Sequence, residues 1–321
     1  MADTEKNQHL LPLLRPTQTN QNPKQPEKKK ETPAMSKKHI NLFLVTYGQD
    51  EGTSINSLEK DHRQQLHALA DVMQRHRQGW RLTPEGVQQT RVAGICVNNI
   101  IQRDQGVDKK VVCFVSEVTE AMDTAWRLGI PNAEWHFKPN LHSRGRGEDS
   151  AHPRHTDKTR HAGSSAYQKS DPFHWKVKGG ESHSEVCLRA DLSLNSLDPE
   201  KNGIGRNTVV VCHPDFILGC RFRLEYLTQA EYMNIDSSTD EEDKVRHGQV
   251  WQYSKQNPKD KNDIRSTYCW FRMMCPTSPI PLQSKWCKIH RKPYNNQDMK
   301  SCAERTKSVQ GELDSLVSQE I

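Results

Sequence analysis

The sequence predicts an α/β protein, a three-layer sandwich with a mostly parallel central sheet. Two observations predict it. Three short apolar runs, in "INLFLV", "VVCFV" and "TVVVC", each end abruptly in polar residues. Between and after them lie longer segments whose apolar residues recur at helical spacing. A strand–helix–strand–helix order of this kind builds parallel sheets covered on both faces. In such sheets a ligand site lies beyond the carboxyl ends of the strands.

The elements follow in order. A first strand is expected over Ile40–Val45. An amphipathic helix is expected over 57–80, from the spacing of Leu58, Leu66, Leu69 and Met73. The segment "LTPEGVQQTRVAGICVNNII" predicts a second helix, with Thr83 as its cap and Pro84 in its first turn. Val87, Thr90, Gly94, Val97 and Ile101 share one face of it. A strand at Val111–Val115 then runs into a helix in "EVTEAMDTAWRLGI". "AEWHFKP" reads as a short third strand, and 142–170 as a long basic, histidine-rich loop. Thr208–Cys212 is a buried strand followed by a turn and a helix. The stretch 233–263 reads as a polar insertion containing the acidic loop "DSSTDEEDK", and "RSTYCWFRMMC" as an aromatic strand.

The chain has 321 residues, 33% hydrophobic and 27% charged, but the polarity is uneven. Residues 1–38 are Gln-, Asn-, Lys- and Pro-rich and read as a disordered polar tail, because they bury too little to offset ordering entropy. Residues 39–290 form the expected domain, and 291–321 a polar carboxyl-terminal tail with one weakly helical segment. The run "HLLPLL" is too short for a membrane span or a signal-peptide core, so a cytoplasmic protein is expected, with no membrane association through a span. Nine cysteines without a regular framework read as reduced thiols. The net charge of +6 concentrates in "PKQPEKKK" and "SRGRGEDSAHPRHTDKTRH". Without an aromatic platform or motif beside it, that charge reads as solvated surface rather than a nucleic-acid site.

At the three expected strand ends the chain resembles the histidine phosphatase (phosphoglycerate mutase) superfamily. That family's first strand ends in Arg-His-Gly-Glu; the matching residues here are Thr46, Tyr47, Gly48 and Gln49. Its next helix begins Leu-Thr-x-x-Gly-x-x-Gln, which "LTPEGVQQ" matches in full. Its Ser-x-x-x-Arg-Ala-x-x-Thr motif is matched by "SEVTEAMDT" at Ser116, Ala121 and Thr124, with Glu120 in place of arginine. "VVVCHPDFI" supplies the late histidine, His213. "KHINLFLV", "VTEAMDT", "DPFHWK" and "VCHPDFI" are similar to segments of the mitochondrial serine/threonine protein phosphatases of the superfamily, the phosphoglycerate mutase family member 5 group. The amino-terminal anchor and oligomerisation segment of that group has no counterpart in 1–38, so mitochondrial association follows from the resemblance alone.

The resemblance implies a phosphoglycerate mutase-like fold and a site in which a histidine attacks phosphorus while two arginines and a second histidine hold the phosphoryl oxygens. At those positions stand Tyr47 for the nucleophile, Thr46 and Glu120 for the arginines, and the retained His213. A charged hydrogen bond contributes about 1.5–3 kcal/mol, so losing two arginine forks costs roughly a thousandfold in phosphate affinity. A phenol with pKa near about 10 is almost wholly neutral at neutral pH and is a poor substitute nucleophile. The expectation is a catalytically inactive pseudophosphatase that acts as a binding or scaffold protein and uses no cofactor. Its expected partners are phosphoproteins or a homologous phosphatase, with a homo-oligomer left open. The alternative is a serine/threonine protein phosphatase with an altered site.

Several residues stand as secondary candidates. Arg63, Arg75 and Arg77 are basic side chains near the expected site. "RHGQ" at Arg246–Gln249 repeats the family signature, but it follows an exposed acidic run and reads as a decoy. Cys269, Cys275, Cys287 and His290 have irregular spacing for zinc, and the histidines at 142, 152, 155 and 161 match no standard metal site. Glu148 is the nearest match to the family's acid.

Overall fold

The computed structural model describes residues 39–57, 79–106, 108–147, 164–197, 206–240, 244–275 and 285–304. All of them fall in one compact unit, Lys37–Ile321. Strand β1 (Asn41–Thr46) is followed by α1 (Glu51–Ser57), α2 (Pro84–Gln105), β2 (Val111–Val115), α3 (Thr119–Arg127) and β3 (Ala133–Phe137). Next come α4 (Ser164–Ser170), α5 (His183–Ser196), β4 (Asn207–Cys212), α6 (Pro214–Glu225) and α7 (Gln229–Ser237). The described chain ends with β5 (Val250–Ser254), β6 (Gln256–Asn257), β7 (Asp260–Ile264), β8 (Trp270–Met274), β9 (Cys287–Lys288) and α8 (Asn296–Ala303).

Seven strands form one sheet in the order β3-β2-β4-β1-β5-β8-β9. Strands β3, β2, β4 and β1 are mutually parallel. Strand β5 runs antiparallel to β1, and β8 antiparallel to β5, which returns β8 to the common direction. The sheet is therefore mostly parallel. Its central strands alternate between two cores, as a period of two requires. Leu42, Leu44, Val112, Phe114, Val210 and Cys212 face Ala190, Phe216, Ile217 and Cys220 of α5 and α6. Phe43, Val45, Cys113, Val115, Val209 and Val211 face Ala93, Val97, Ile101, Ala121 and Ala125 of α2 and α3. Burial on both faces explains why these strands are continuous apolar runs.

Helix α2 begins as expected. The Thr83 hydroxyl accepts from the Gly86 amide at 3.1 Å, and Pro84 occupies the first turn. At the far end of the sheet, Asn41 donates to Asn207 at 2.9 Å. Asp104 accepts from both asparagines and from Arg206, which fixes the register of β1 and β4.

Two segments differ from the sequence reading. Within 233–263, expected as a polar insertion, residues 233–237 are the last turn and a half of α7, and Val250–Ser254 is a fully buried strand of the main sheet. Its polar members are satisfied in place: Gln252 donates to Asn41 and accepts from Arg272. Within 142–170, Ser164–Ser170 is helical. The amphipathic helix expected over 57–80 lies almost wholly outside the described residues, as do Arg63, Arg75, Arg77 and Glu148. Among the described residues no helix is long and apolar enough to cross a membrane.

Candidate functional site

The carboxyl ends of β1, β2 and β4 bring together the three segments expected to meet. His213 is the residue after β4 and caps α6 with extended backbone. Its Nε2 lies 3.3 Å from the Ser116 hydroxyl, at the end of β2. The Tyr47 ring lies 5.0 Å from the His213 ring, centroid to centroid. The Gly48 amide donates to the Thr124 hydroxyl at 3.1 Å, which seats the β1 loop on α3. Glu120 lies one turn before Thr124, on the same buried face of that helix.

The family-like motif on α2 has a structural explanation. Gln49 accepts at its backbone oxygen from the Thr83 amide and donates from its own amide to Gln89. The Thr83 hydroxyl also meets the Gln49 side chain at 2.9 Å. Gly48 and Gly86 let loop and helix touch: a Cβ on Gly86 would stand 2.1 Å from the Gln49 carbonyl oxygen, and one on Gly48 2.3 Å from that of Gly86.

A fourth segment joins them: Arg246–Gln249, set aside in the sequence reading as a decoy because it follows an exposed acidic run, packs beside the end of β1. Because β5 runs antiparallel to β1, the turn that starts β5 lies beside the end of β1. Gly248 takes φ +67° at the third position of that turn, a conformation glycine adopts without strain. The Gly248 amide donates to the Tyr47 carbonyl oxygen at 3.1 Å, and the His247 ring packs on the Tyr47 ring at 5.3 Å. Tyr47 thus contacts two imidazoles, one from β4 and one from this turn.

Thr46 has a different task from the one its position suggests. Its hydroxyl donates to the Arg246 carbonyl oxygen at 2.5 Å and accepts from the Gln249 amide at 2.8 Å. It is fully buried and ties the turn to β1.

The electrostatics are unusual for a phosphate site. Burial pushes the His213 pKa down to about 3, helped by the nearby His142 and Arg189. His247 is also lowered by burial, against the opposing pull of Asp50 and Glu85. Both imidazoles are therefore held towards their neutral forms. Glu120 is 8% exposed, and its pKa is raised to about 7, first by burial and then by the like charge of Asp50. Its Oε2 has no hydrogen-bond partner among the described residues. Asp50 is buried too, with its carboxylate accepting from the amide and hydroxyl of Thr53. Three arginines have carboxylate partners outside the site. Arg81 and Arg127 meet Asp123, and Arg189 forks onto Glu181.

The sequence reading names Tyr47, Ser116, Glu120 and His213, sets His247 aside with the Arg246–Gln249 decoy, and does not name Asp50. Among the described residues no group of three or more His, Cys, Asp or Glu side chains is arranged to hold a metal ion.

Residues 47–239, more than half of the chain, match the sequence model of the histidine phosphatase superfamily (branch 1). No curated protein matches the chain. Solved structures similar to it include mycobacterial glucosyl-3-phosphoglycerate phosphatase, at 20% identity over 73% of this chain and 96% of that one, with a TM-score of 0.47. Mycobacterial hydrolase 1 is 17% identical over 73% and 96%, with a TM-score of 0.49. The alpha-ribazole phosphatase of Shigella flexneri is 17% identical over 68% and 92%, with a TM-score of 0.48. On the strength of the family match, the chain belongs to the histidine phosphatase superfamily.

Proposed function

We propose that this chain is a non-hydrolytic member of its superfamily that works by binding. The observation that carries the reading is Glu120. A buried carboxyl stands where the resemblance places a phosphate-holding arginine, and a second carboxyl, Asp50, acts on it. A phosphoryl dianion entering there meets negative charge instead of the donors that stabilise phosphoryl transfer. The two imidazoles add little attraction while they are neutral. The resemblance puts Tyr47, a phenol, at the nucleophile position in place of an imidazole.

Of the two partner classes expected from the resemblance, a homologous phosphatase fits this reading better than a phosphoprotein, since the site disfavours phosphate. A titration with inorganic phosphate tests it. The native chain should bind far more weakly than a Tyr47→His/Glu120→Arg variant, by roughly a thousandfold if two charged contacts are regained. Equal affinity would remove the basis for the reading.

One observation favours a second reading, an altered serine/threonine protein phosphatase. His247 brings an imidazole to the ring of Tyr47, close to where the family's nucleophile stands. In that case His247→Ala would abolish turnover.

A further inference from the structure

We propose that the site at the ends of β1, β2 and β4 receives a primary ammonium group, held by Glu120 beside Asp50 and lying against the ring of Tyr47. The inference deepens the binding role proposed above and rests on it.

Glu120 supplies the first observation. It is more than nine-tenths buried, yet Oε2 has no hydrogen-bond partner among the described residues. Buried polar atoms are almost always partnered, so such an atom calls for a donor from outside the described chain. Its place on α3 lies between two residues that touch the site. Thr124, one turn along the same buried face, touches Gly48, and Ser116, just before the helix, touches His213.

The second observation is the sign of the surroundings. Asp50 acts on Glu120 with like charge, and Asp50 and Glu85 both act on His247. Asp123, on the same helix, is already matched by Arg81 and Arg127. An incoming cation would relieve the repulsion between Glu120 and Asp50, whereas an anion would add to it.

The third is the aromatic content. Tyr47 packs against His213 on one contact and His247 on another, and a half-buried phenol ring attracts cations through its face. A primary ammonium offers three N–H donors and a point charge, which suits a buried carboxylate oxygen that lacks a donor among the described residues. A quaternary ammonium has no donor for Oε2. No three-ligand metal cluster is present among the described residues, which directs the inference to an organic cation.

Ligand-observed NMR titration of the full chain with n-butylammonium tests the inference, with n-butanol and tetramethylammonium as comparison ligands. Saturable binding of n-butylammonium, with butanol not binding and tetramethylammonium weaker, is expected. Binding of tetramethylammonium equal to that of n-butylammonium would overturn the role of Glu120. Affinity should fall about tenfold between about pH 8.5 and about pH 6 as Glu120 takes up a proton. Glu120→Gln should lose the binding and its pH dependence. The wild-type pH profile carries the same test should that variant fail to fold. A second arm uses Nα-acetyl-lysine amide: tighter binding than n-butylammonium assigns the ammonium to a lysine side chain, and weaker binding to a small amine. No binding of either, or binding unchanged in Glu120→Gln, overturns the proposal. Hydrolysis of p-nitrophenyl phosphate is followed in the same samples. Turnover would defeat the non-hydrolytic reading, whereas absent turnover with absent ammonium binding would defeat only this inference.

Discussion

The ring of Tyr47 packs against that of His247, with centroids 5.3 Å apart and planes inclined at 62°. Two hundred residues of sequence separate them, and the antiparallel pairing of β1 with β5 closes the distance. The end of β1 is therefore built jointly by two strands, and its chemistry cannot be judged from the first strand alone.

The turn carrying His247 depends on Thr46. Thr46→Val removes the donor to the Arg246 carbonyl and the acceptor for the Gln249 amide, leaving buried backbone groups unsatisfied. A loss of about 1–3 kcal/mol is expected from urea unfolding. Thr46→Ser keeps the hydroxyl and should recover most of it.

Glu120 makes stability depend on pH. Its folded pKa, about 7, lies above the ordinary value of 4.5. The unfolded chain therefore releases the proton first as pH rises. The contribution is fully present below about pH 4.5 and is lost as pH rises through about 7, on the order of 3 kcal/mol in all. Glu120→Gln should remove this slope, so its advantage over the native chain should grow towards pH 8 in urea titrations.

His213 acts in the opposite sense. Its folded pKa of about 3 lies below the ordinary 6.5. Its contribution is present above about pH 6.5 and is lost as pH falls towards about 3, on the order of 5 kcal/mol. His213→Gln should flatten acid unfolding over that range.

Gly86 is a steric requirement of the site. Gly86→Ala places a Cβ 2.1 Å from a backbone oxygen of the Gln49 loop, with no flexible side chain to yield. Loss of about 1–3 kcal/mol is expected. A thermal melt checks it, with Gly79→Ala, where a Cβ meets nothing, as the comparison.

What could be read in the sequence follows from burial. Strands β1, β2 and β4 are buried on both faces, so each is an uninterrupted apolar run. Thr83 and Pro84 announce α2 by capping chemistry that acts locally. Strand β5 escaped because "VWQYS" is short and half polar, and its Gln252 is satisfied only by Asn41 and Arg272 from neighbouring strands. Helix α5 also escaped, although Ser182 and Glu185 form a capping box that was visible as Ser-x-x-Glu. Tyr47, Glu120 and His213 stand out in the sequence through the family resemblance carried at the ends of legible strands. His247 was discounted because its local context is a polar turn, and only the unread strand after it gives its position. Asp50 gave no signal beyond its role as the cap of a short helix.

The most direct test of the central claim is hydrolysis of p-nitrophenyl phosphate and of a phosphothreonine peptide by the full chain, beside Tyr47→Phe, His213→Ala and His247→Ala. The account predicts no turnover above the buffer rate for any of the four proteins. Turnover by the native chain that is lost on replacing His213 or His247 would contradict it, and would mean that the imidazoles flanking Tyr47 form a working phosphatase site.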